Sequence, residues 1–263
     1  MIRSRLGLKV LGLCALALGL MAFVASAAQA EELAHWNIIN AKSELVQVNE
    51  TNKLFAQLEI NKIENETATL LFTTAGGTKV GILCKTAKFD EGGLLQAHGG
   101  ISLGRILFEG CVVLLNEKLS PGCQAHTTGQ ANGKILTEKG KGLIVLDVVG
   151  GVTEDYTKIV PDPVEGKESL TFAKIEMGEE CSIGELVEVK AKADGEGLWI
   201  KDCAAEGKTS KERFLEESKE HLIEESLHGL VALGQPATID GSALVRLAIT
   251  GEHNGLKWGG TPG

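Results

Sequence analysis

Dipeptides that accept a positive backbone φ recur along this 263-residue chain and cut it into short apolar runs. Gly76-Gly77 divides ATLLFTTA from TKVGILC. Asn132-Gly133 precedes KILTEKGKGLIVLDVV, which breaks again at Gly140 and Gly142. Asp194-Gly195 separates LVEVKAKA from GLWIKDC, Asp240-Gly241 splits PATID from SALVRLAIT, and Asn254-Gly255 leads into LKW. Type I′ hairpin turns need positive φ at both central residues, which Gly, Asn and Asp tolerate. A series of such signals predicts an all-β, mainly antiparallel chain built as a sandwich or a barrel-like meander.

The runs between these turns behave as strands. LVEVKAKA alternates apolar and polar residues, as a half-buried strand does. SALVRLAI alternates less cleanly and is expected to be buried on both faces. FEGCVVLL and GLIVLDVV are continuous apolar runs, expected to be core strands. VNETNKLF (48–55) and ENETATLLF (64–72) echo one another as two similar strand entries. Two segments depart from the pattern. TEDYTKIVPDPVEGKES (153–169) is expected to be a long loop, because Pro161 and Pro163 bar regular pairing. TSKERFLEESKEHLIEESLHG (209–229) leans to one short helix by propensity, with Thr209 and Glu212 as a capping box, although an edge strand with a charged face fits it as well.

The first thirty residues place the rest in a compartment. Arg3, Arg5 and Lys9 precede an almost wholly apolar stretch, and Ala25-Ser26-Ala27 and Ala28-Gln29-Ala30 offer small-residue cleavage sites before Glu31. That order of charge, apolar residues and small residues predicts a signal peptide over 1–30 and a secreted domain over 31–263, with a sub-boundary near 204–210. Cys14 follows Leu13 inside the apolar run, which is not the setting of a lipid anchor.

Export implies oxidised cysteines. Five remain after cleavage: Cys84, Cys111, Cys123, Cys181 and Cys203. None belongs to a Cys-x-x-Cys, so neither a zinc cluster nor a redox motif is indicated. The first pairing considered is Cys111 with Cys123 across Ser120-Pro121-Gly122, a short loop whose closure stabilises by about 3 kcal/mol. Cys84–Cys181 would accompany it, with Cys203 left over. The rival set is Cys84–Cys111 with Cys181–Cys203, which leaves Cys123 free. Spacing does not choose between them.

Loss of three basic residues with the leader takes 26 basic residues to 23, against 35 acidic, a balance of −12. Such acidity disfavours nucleic acid and anionic lipid surfaces, whose phosphates need a basic footprint. Trp36, Trp199, Trp258 and Tyr156 are too few for an extended sugar-stacking platform.

Candidate chemistry is sparse. On a helix, Glu217, His221, Glu224 and His228 would share one face at offsets of 4, 7 and 11, a donor set suited to a divalent ion, although surface helices often carry such a solvated face. Glu176 with Glu179 or Glu180 offers paired carboxylates, which act as acid and base only when they face each other across a cleft. There is no Gly-x-Ser-x-Gly, Walker or Rossmann motif, and Gly241-Ser242 belongs to an expected hairpin turn. No catalytic residue and no cofactor is assigned.

HWNI, ILC, FEGC, GKILTEKGKGLIVL, MGEECSIGE, EHLIEES, ATIDGSALVRL and GLKW occur in this order along the chain. In that respect it resembles uncharacterised exported proteins of high-GC soil actinobacteria. The resemblance implies no activity and transfers no functional residue, and Cys203 is an addition to that group's four-cysteine pattern. The expectation is therefore a secreted, non-catalytic binding or structural module whose sheets meet a cell-surface polymer or another protein. It is not expected to engage nucleic acid, or a membrane once the leader is removed. A secreted hydrolase with a carboxylate or His/Glu metal site is the alternative.

Overall fold

Among the described residues every strand pairing is antiparallel and no helix occurs. The computed structural model describes residues 34–48, 56–61, 68–149, 152–162, 170–192, 197–201, 203–205, 220–224, 226–227, 229–248 and 253–261. The expected leader over 1–30 and most of the expected sub-boundary near 204–210 lie outside them.

One of the two large sheets is nine-stranded. Its strands, numbered in chain order, run β11 (Lys118–Leu119), β10 (Val112–Leu115), β5 (Lys79–Cys84), β4 (Ala68–Thr73), β23 (Gln235–Asp240), β22 (Leu230–Ala232), β17 (Leu186–Ala191), β16 (Thr171–Glu176) and β12 (His126–Thr127). The two edge strands, β11 and β12, are consecutive in the chain and joined by residues 120–125. Seven Cα steps reach at most about 25 Å, whereas eight strand spacings in a flat sheet span about 38 Å. The connection therefore demands curvature, and the sheet curls into a half-barrel. Its concave face holds a core of Phe72, Val80, Ile82, Val113, Ile175, Val187, Val189 and Ala232, among others. Each fully buried aliphatic side chain contributes about 1.5–3 kcal/mol.

A ten-stranded sheet runs β19 (Cys203–Ala205), β20 (Glu220–Glu224), β24 (Ser242–Leu247), β3 (Ala56–Asn61), β7 (Gly93–Leu95), β8 (Gly100–Leu103), β14 (Gly140–Val149), β15 (Val152–Pro161), β18 (Leu198–Lys201) and β21 (Ser226–Leu227). A small sheet of β2 (Leu45–Gln47), β1 (His35–Ile39) and β25 (Lys257–Thr261) shares its core, which includes Trp36, Ile38, Leu95, Ile144, Ile159, Val245, Leu247 and Trp258. The two indoles lie 5.7 Å apart between ring centroids. Trp36 Nε1 donates to the Gly100 carbonyl at 2.8 Å, which satisfies its polar tip inside apolar surroundings. Phe172 is the extra residue of a bulge between Thr171 and Ala173, and it packs against both cores, as does Leu198. The bulge re-aims one side chain, and the two cores meet there.

Strands pass between sheets at sharp corners. β23 and β24 are separated only by Gly241 (φ 146°), yet β23 pairs with β4 while β24 pairs with β3. A second corner involves β6 (Thr86–Phe89) and β9 (Ile106–Glu109), which form a three-stranded sheet with β13 (Lys134–Leu136). β5 continues into β6 through Lys85, and β9 continues into β10 through Gly110-Cys111, while β5 pairs with β10 and β6 with β9. Orthogonal sheets turn their corners by such bends.

Two disulfides are formed, Cys84–Cys111 and Cys123–Cys181. The pairing of Cys111 with Cys123 is thereby corrected, as is that of Cys84 with Cys181. The hairpin after Cys111 reverses at Asn116 and Glu117, both at positive φ (48° and 66°), and not at Ser120-Pro121-Gly122. The latter turn, closed by Cys123 N–H on Ser120 O, directs the chain away toward β12. Of the rival set, Cys84–Cys111 is present, while Cys181 takes Cys123 as its partner and not Cys203.

Other expectations are corrected too. Residues 220–224 and 226–227 within the 209–229 segment are strands, because β20 pairs along β24 and β21 along β18, and tertiary pairing overrides helix propensity there. Of the segment 153–169 expected as loop, 153–161 belong to the ten-residue strand β15, which has a partner on each side and ends at Pro161, while 163–169 lie outside the described residues. The KILTEKGKGLIVLDVV run breaks at 137–139, between β13 (Lys134–Leu136) and β14; Gly140 opens β14 and Gly142 lies inside it without breaking it. A Cβ on Gly142 would sit 2.8 Å from the Lys158 carbonyl oxygen, so glycine there admits the close approach of β15. FEGCVVLL is two strands of different sheets.

Candidate functional site

Only two residues of the sequence-derived metal set fall among the described residues. His221 and Glu224 fall on β20, whose extended backbone abolishes the common helical face that offsets of 4, 7 and 11 require; Glu217 and His228 lie outside the described residues. Among the described residues no group of three or more His, Cys, Asp or Glu is placed to hold a metal ion.

The carboxylate pair is also dispersed. Glu176 on β16 accepts from Thr128 Oγ1 at 2.6 Å and faces His126 Nε2 at 3.2 Å, while the other ring nitrogen of His126 lies 3.1 Å from the Gln124 carbonyl. Glu179 and Glu180 are exposed in the turn after β16. Cys203 lies on β19, paired opposite Ile223.

Three other glutamates have lowered pKa values. Lys139, then Arg105, holds Glu91 below the usual carboxylate range. Lys134 and Lys88 do the same for Glu109, and Lys190 and Thr171 for Glu188. Such groups stay ionised at neutral pH, the opposite of what a general acid needs. Glu109 serves as a cross-strand tie to Lys134, on the paired position of β13, and to Lys88 on β6, whereas Lys190 lies on the same strand as Glu188 and Glu91 meets Lys139 and Arg105 between strands.

What stands out is the convex face of the half-barrel. Alternation along β5 sends Val80, Ile82 and Cys84 inward and Lys79, Gly81 and Leu83 outward. Register then aligns the outward positions of the neighbours: Leu71 and Leu114 oppose Gly81, Val112 opposes Leu83, and Leu119 opposes Leu114. The result is an apolar surface across β11, β10, β5 and β4, in which Leu119 is 59 %, Leu71 40 % and Val112 36 % exposed. Gly81 forms its floor, with Leu71 and Leu114 closing over it; each lies 3.6 Å from where a Cβ would stand.

The other half of the same face is mixed, with Leu186 (48 % exposed), Val231 and Pro236 set among more numerous polar residues. Thr238 and Asp240 on β23, Glu188 and Lys190 on β17, and Lys174 on β16 point outward there. An antiparallel sheet with one wet face ordinarily looks like that second half. Exposed apolar residues gathered on neighbouring strands make this half of the face the candidate site. Its border carries Lys79, 3.4 Å from Glu117, and Lys85 at the lower corner.

Sequence reasoning missed this surface because it read FEGCVVLL as a core strand, and a core strand leaves no apolar face to solvent. The signal was present: a solvent-facing position in VVLL or GILC should be polar, and none is. Compared with protein-family models, with curated proteins and with solved structures, the chain matches none.

Proposed function

We propose that this chain is an exported, non-catalytic binding module that docks another protein on the apolar half of its convex sheet face. The observation that carries the reading is the exposure of Leu119, Leu71 and Val112 on one continuous surface over Gly81. Two disulfides support an oxidising, extracellular setting. The occupant is a protein presenting an apolar strand or loop that brings a carboxylate to Lys85, because Lys85 stands at the border while Lys79 is already paired with Glu117, and charge complementarity sets register and excludes wrong partners.

The test compares the mature protein with a Leu71→Lys/Leu119→Lys variant. Both would be immobilised and presented with proteins released from the exterior of producing cells, and separately with purified cell-wall polymer. Both substitutions replace exposed side chains, so circular dichroism should be unchanged. A single protein, identified by mass spectrometry, retained by the parent and lost by the variant supports the reading, provided that hydrogen exchange of the complex protects β10 and β5. Equal retention by both proteins, protection elsewhere, or retention of the polymer alone overturns it. So does concentration-dependent self-association in sedimentation that the variant abolishes.

A further inference from the structure

The chain contains two described Asn-Gly steps, and the fold treats them in opposite ways. At such a step the glycine nitrogen can attack the asparagine side-chain carbonyl, because no glycine side chain obstructs the approach. A new N–C bond forms, ammonia leaves with the side-chain nitrogen, and a succinimide results. Water then opens the ring at either carbonyl and leaves an aspartyl or an isoaspartyl residue. Atoms balance with water as the only co-reactant, and the outcome is one added carboxylate.

Asn132-Gly133 is held against this chemistry at every reacting group. The Asn132 side-chain amide donates to Gln124 Oε1 at 2.7 Å. The nitrogen that would attack, Gly133 N, donates to Ala125 O at 2.8 Å, and Gly133 O accepts from Cys111 N at 2.9 Å. A Cβ at Gly133 would lie 3.2 Å from the Cys111 carbonyl oxygen, so the glycine is wedged against the disulfide corner. Closing the ring there would break two hydrogen bonds and shift the backbone next to Cys111.

Asn254-Gly255 has none of these restraints. Both residues are exposed. Among the described residues the turn is closed only by Leu256 N–H on His253 O at 3.1 Å, and neither the Gly255 nitrogen nor the Asn254 side chain takes part in a hydrogen bond there. A Cβ at Gly255 would meet nothing within 4 Å, and its φ of 69° is one glycine adopts freely.

We infer that Asn254 is a site of spontaneous, water-dependent deamidation in the folded protein, whereas Asn132 is protected by the fold. The added charge would appear at the entrance to β25, whose Lys257 pairs with Ile39 and whose Trp258 lies in the core beside Trp36. The isoaspartyl product also lengthens the backbone by one carbon at that entrance.

The test holds the purified, folded protein in warm, mildly alkaline buffer and follows both sites by peptide mapping with electron-transfer fragmentation, which separates aspartyl from isoaspartyl products. A parallel sample is kept unfolded in urea with its disulfides reduced. In the folded protein the peptide containing position 254 should convert at least tenfold faster than that containing position 132; unfolded, the two rates should come within about twofold. Equal rates in the folded protein, or faster loss at 132, would overturn the inference. An Asn254→Gln variant should show no acidic species by ion exchange over the same interval, and its persistence there would place the modification elsewhere.

Discussion

Cys84 and Cys111 are bonded across the corner where two chain segments leave the half-barrel together. Cys84 ends β5 and Cys111 immediately precedes β10, and the neighbouring Lys85 N–H donates to Glu109 O across the bend at 3.0 Å. The other bond ties Cys123, in the connection between the two sheet edges, to Cys181 in the turn after β16. One therefore locks a corner, and the other locks the curl.

The bridges close separations of 27 and 58 residues, for which chain entropy gives about 3.5 and about 4 kcal/mol. A Cys84→Ala/Cys111→Ala variant and a Cys123→Ala/Cys181→Ala variant should each lose about that much in urea unfolding, the second more than the first. A non-reducing peptide map of the parent should return these two pairs. A Cys111–Cys123 peptide would contradict the fold.

Strain in two hairpins leads to stabilised variants. Leu233 (φ 49°) and Glu117 (φ 66°) occupy left-handed positions in two-residue turns, where an L side chain costs about 1–2 kcal/mol. Leu233→Asn and Glu117→Gly should each raise stability by about 0.5–1 kcal/mol. The Lys79–Glu117 ion pair lost in the second is highly exposed and contributes little. Urea midpoints that fall in both variants would show that the turns are not strained.

These turns also show what was legible in the sequence. The all-β, antiparallel character followed from glycine spacing and apolar runs, and LVEVKA alternates in burial as its pattern requires. Yet of Gly76-Gly77, Asn132-Gly133, Asp240-Gly241 and Asn254-Gly255, only the first closes a hairpin between paired strands, β4 and β5. Asp240-Gly241 carries the same local signal but redirects a strand into another sheet. A bend and a reversal both need a residue free of Cβ constraints, and only the long-range partners, β4 for β23 and β3 for β24, distinguish them. Disulfide pairing was illegible for the same reason. The tight hairpin at Asn116-Glu117 lacks glycine, so the visible Ser-Pro-Gly signal was assigned the reversal.

Acid should weaken the fold through three glutamates. Folded-state pKa values of Glu91, Glu109 and Glu188 are lowered, chiefly by Lys139, Lys134 and Lys190 respectively. As pH falls, the unfolded chain takes up these protons first, near the ordinary glutamate value of about 4.3. Stability is thus fully present above that value and is lost as pH falls through the lower folded values. The groups are near the surface, so added salt should shrink the effect. Glu109→Gln should flatten the acid limb of a stability–pH profile between pH values just above and below the glutamate range. An unchanged limb would mean that the ties to Lys134 and Lys88 are absent in solution.

Two glycines in strands separate packing from function. A Cβ at Gly142 would press on the backbone oxygen of Lys158 at 2.8 Å, and that oxygen cannot move without displacing β15. Gly142→Thr should therefore cost about 3 kcal/mol by overpacking. At Gly81 the same atom meets only side chains at 3.6 Å, an ordinary contact, and φ there is unstrained. A β-branched residue in that strand should be neutral or stabilising by up to about 1 kcal/mol. Gly81→Thr would nevertheless raise a branched side chain from the floor of the apolar surface, between Leu71 and Leu114. A partner seated there would meet the branch before it met the leucines, so binding should fall while stability holds or rises. Urea unfolding and partner retention, measured on the same preparation, read the two effects separately. A variant that keeps both stability and retention would show that Gly81 does not lie beneath the occupant.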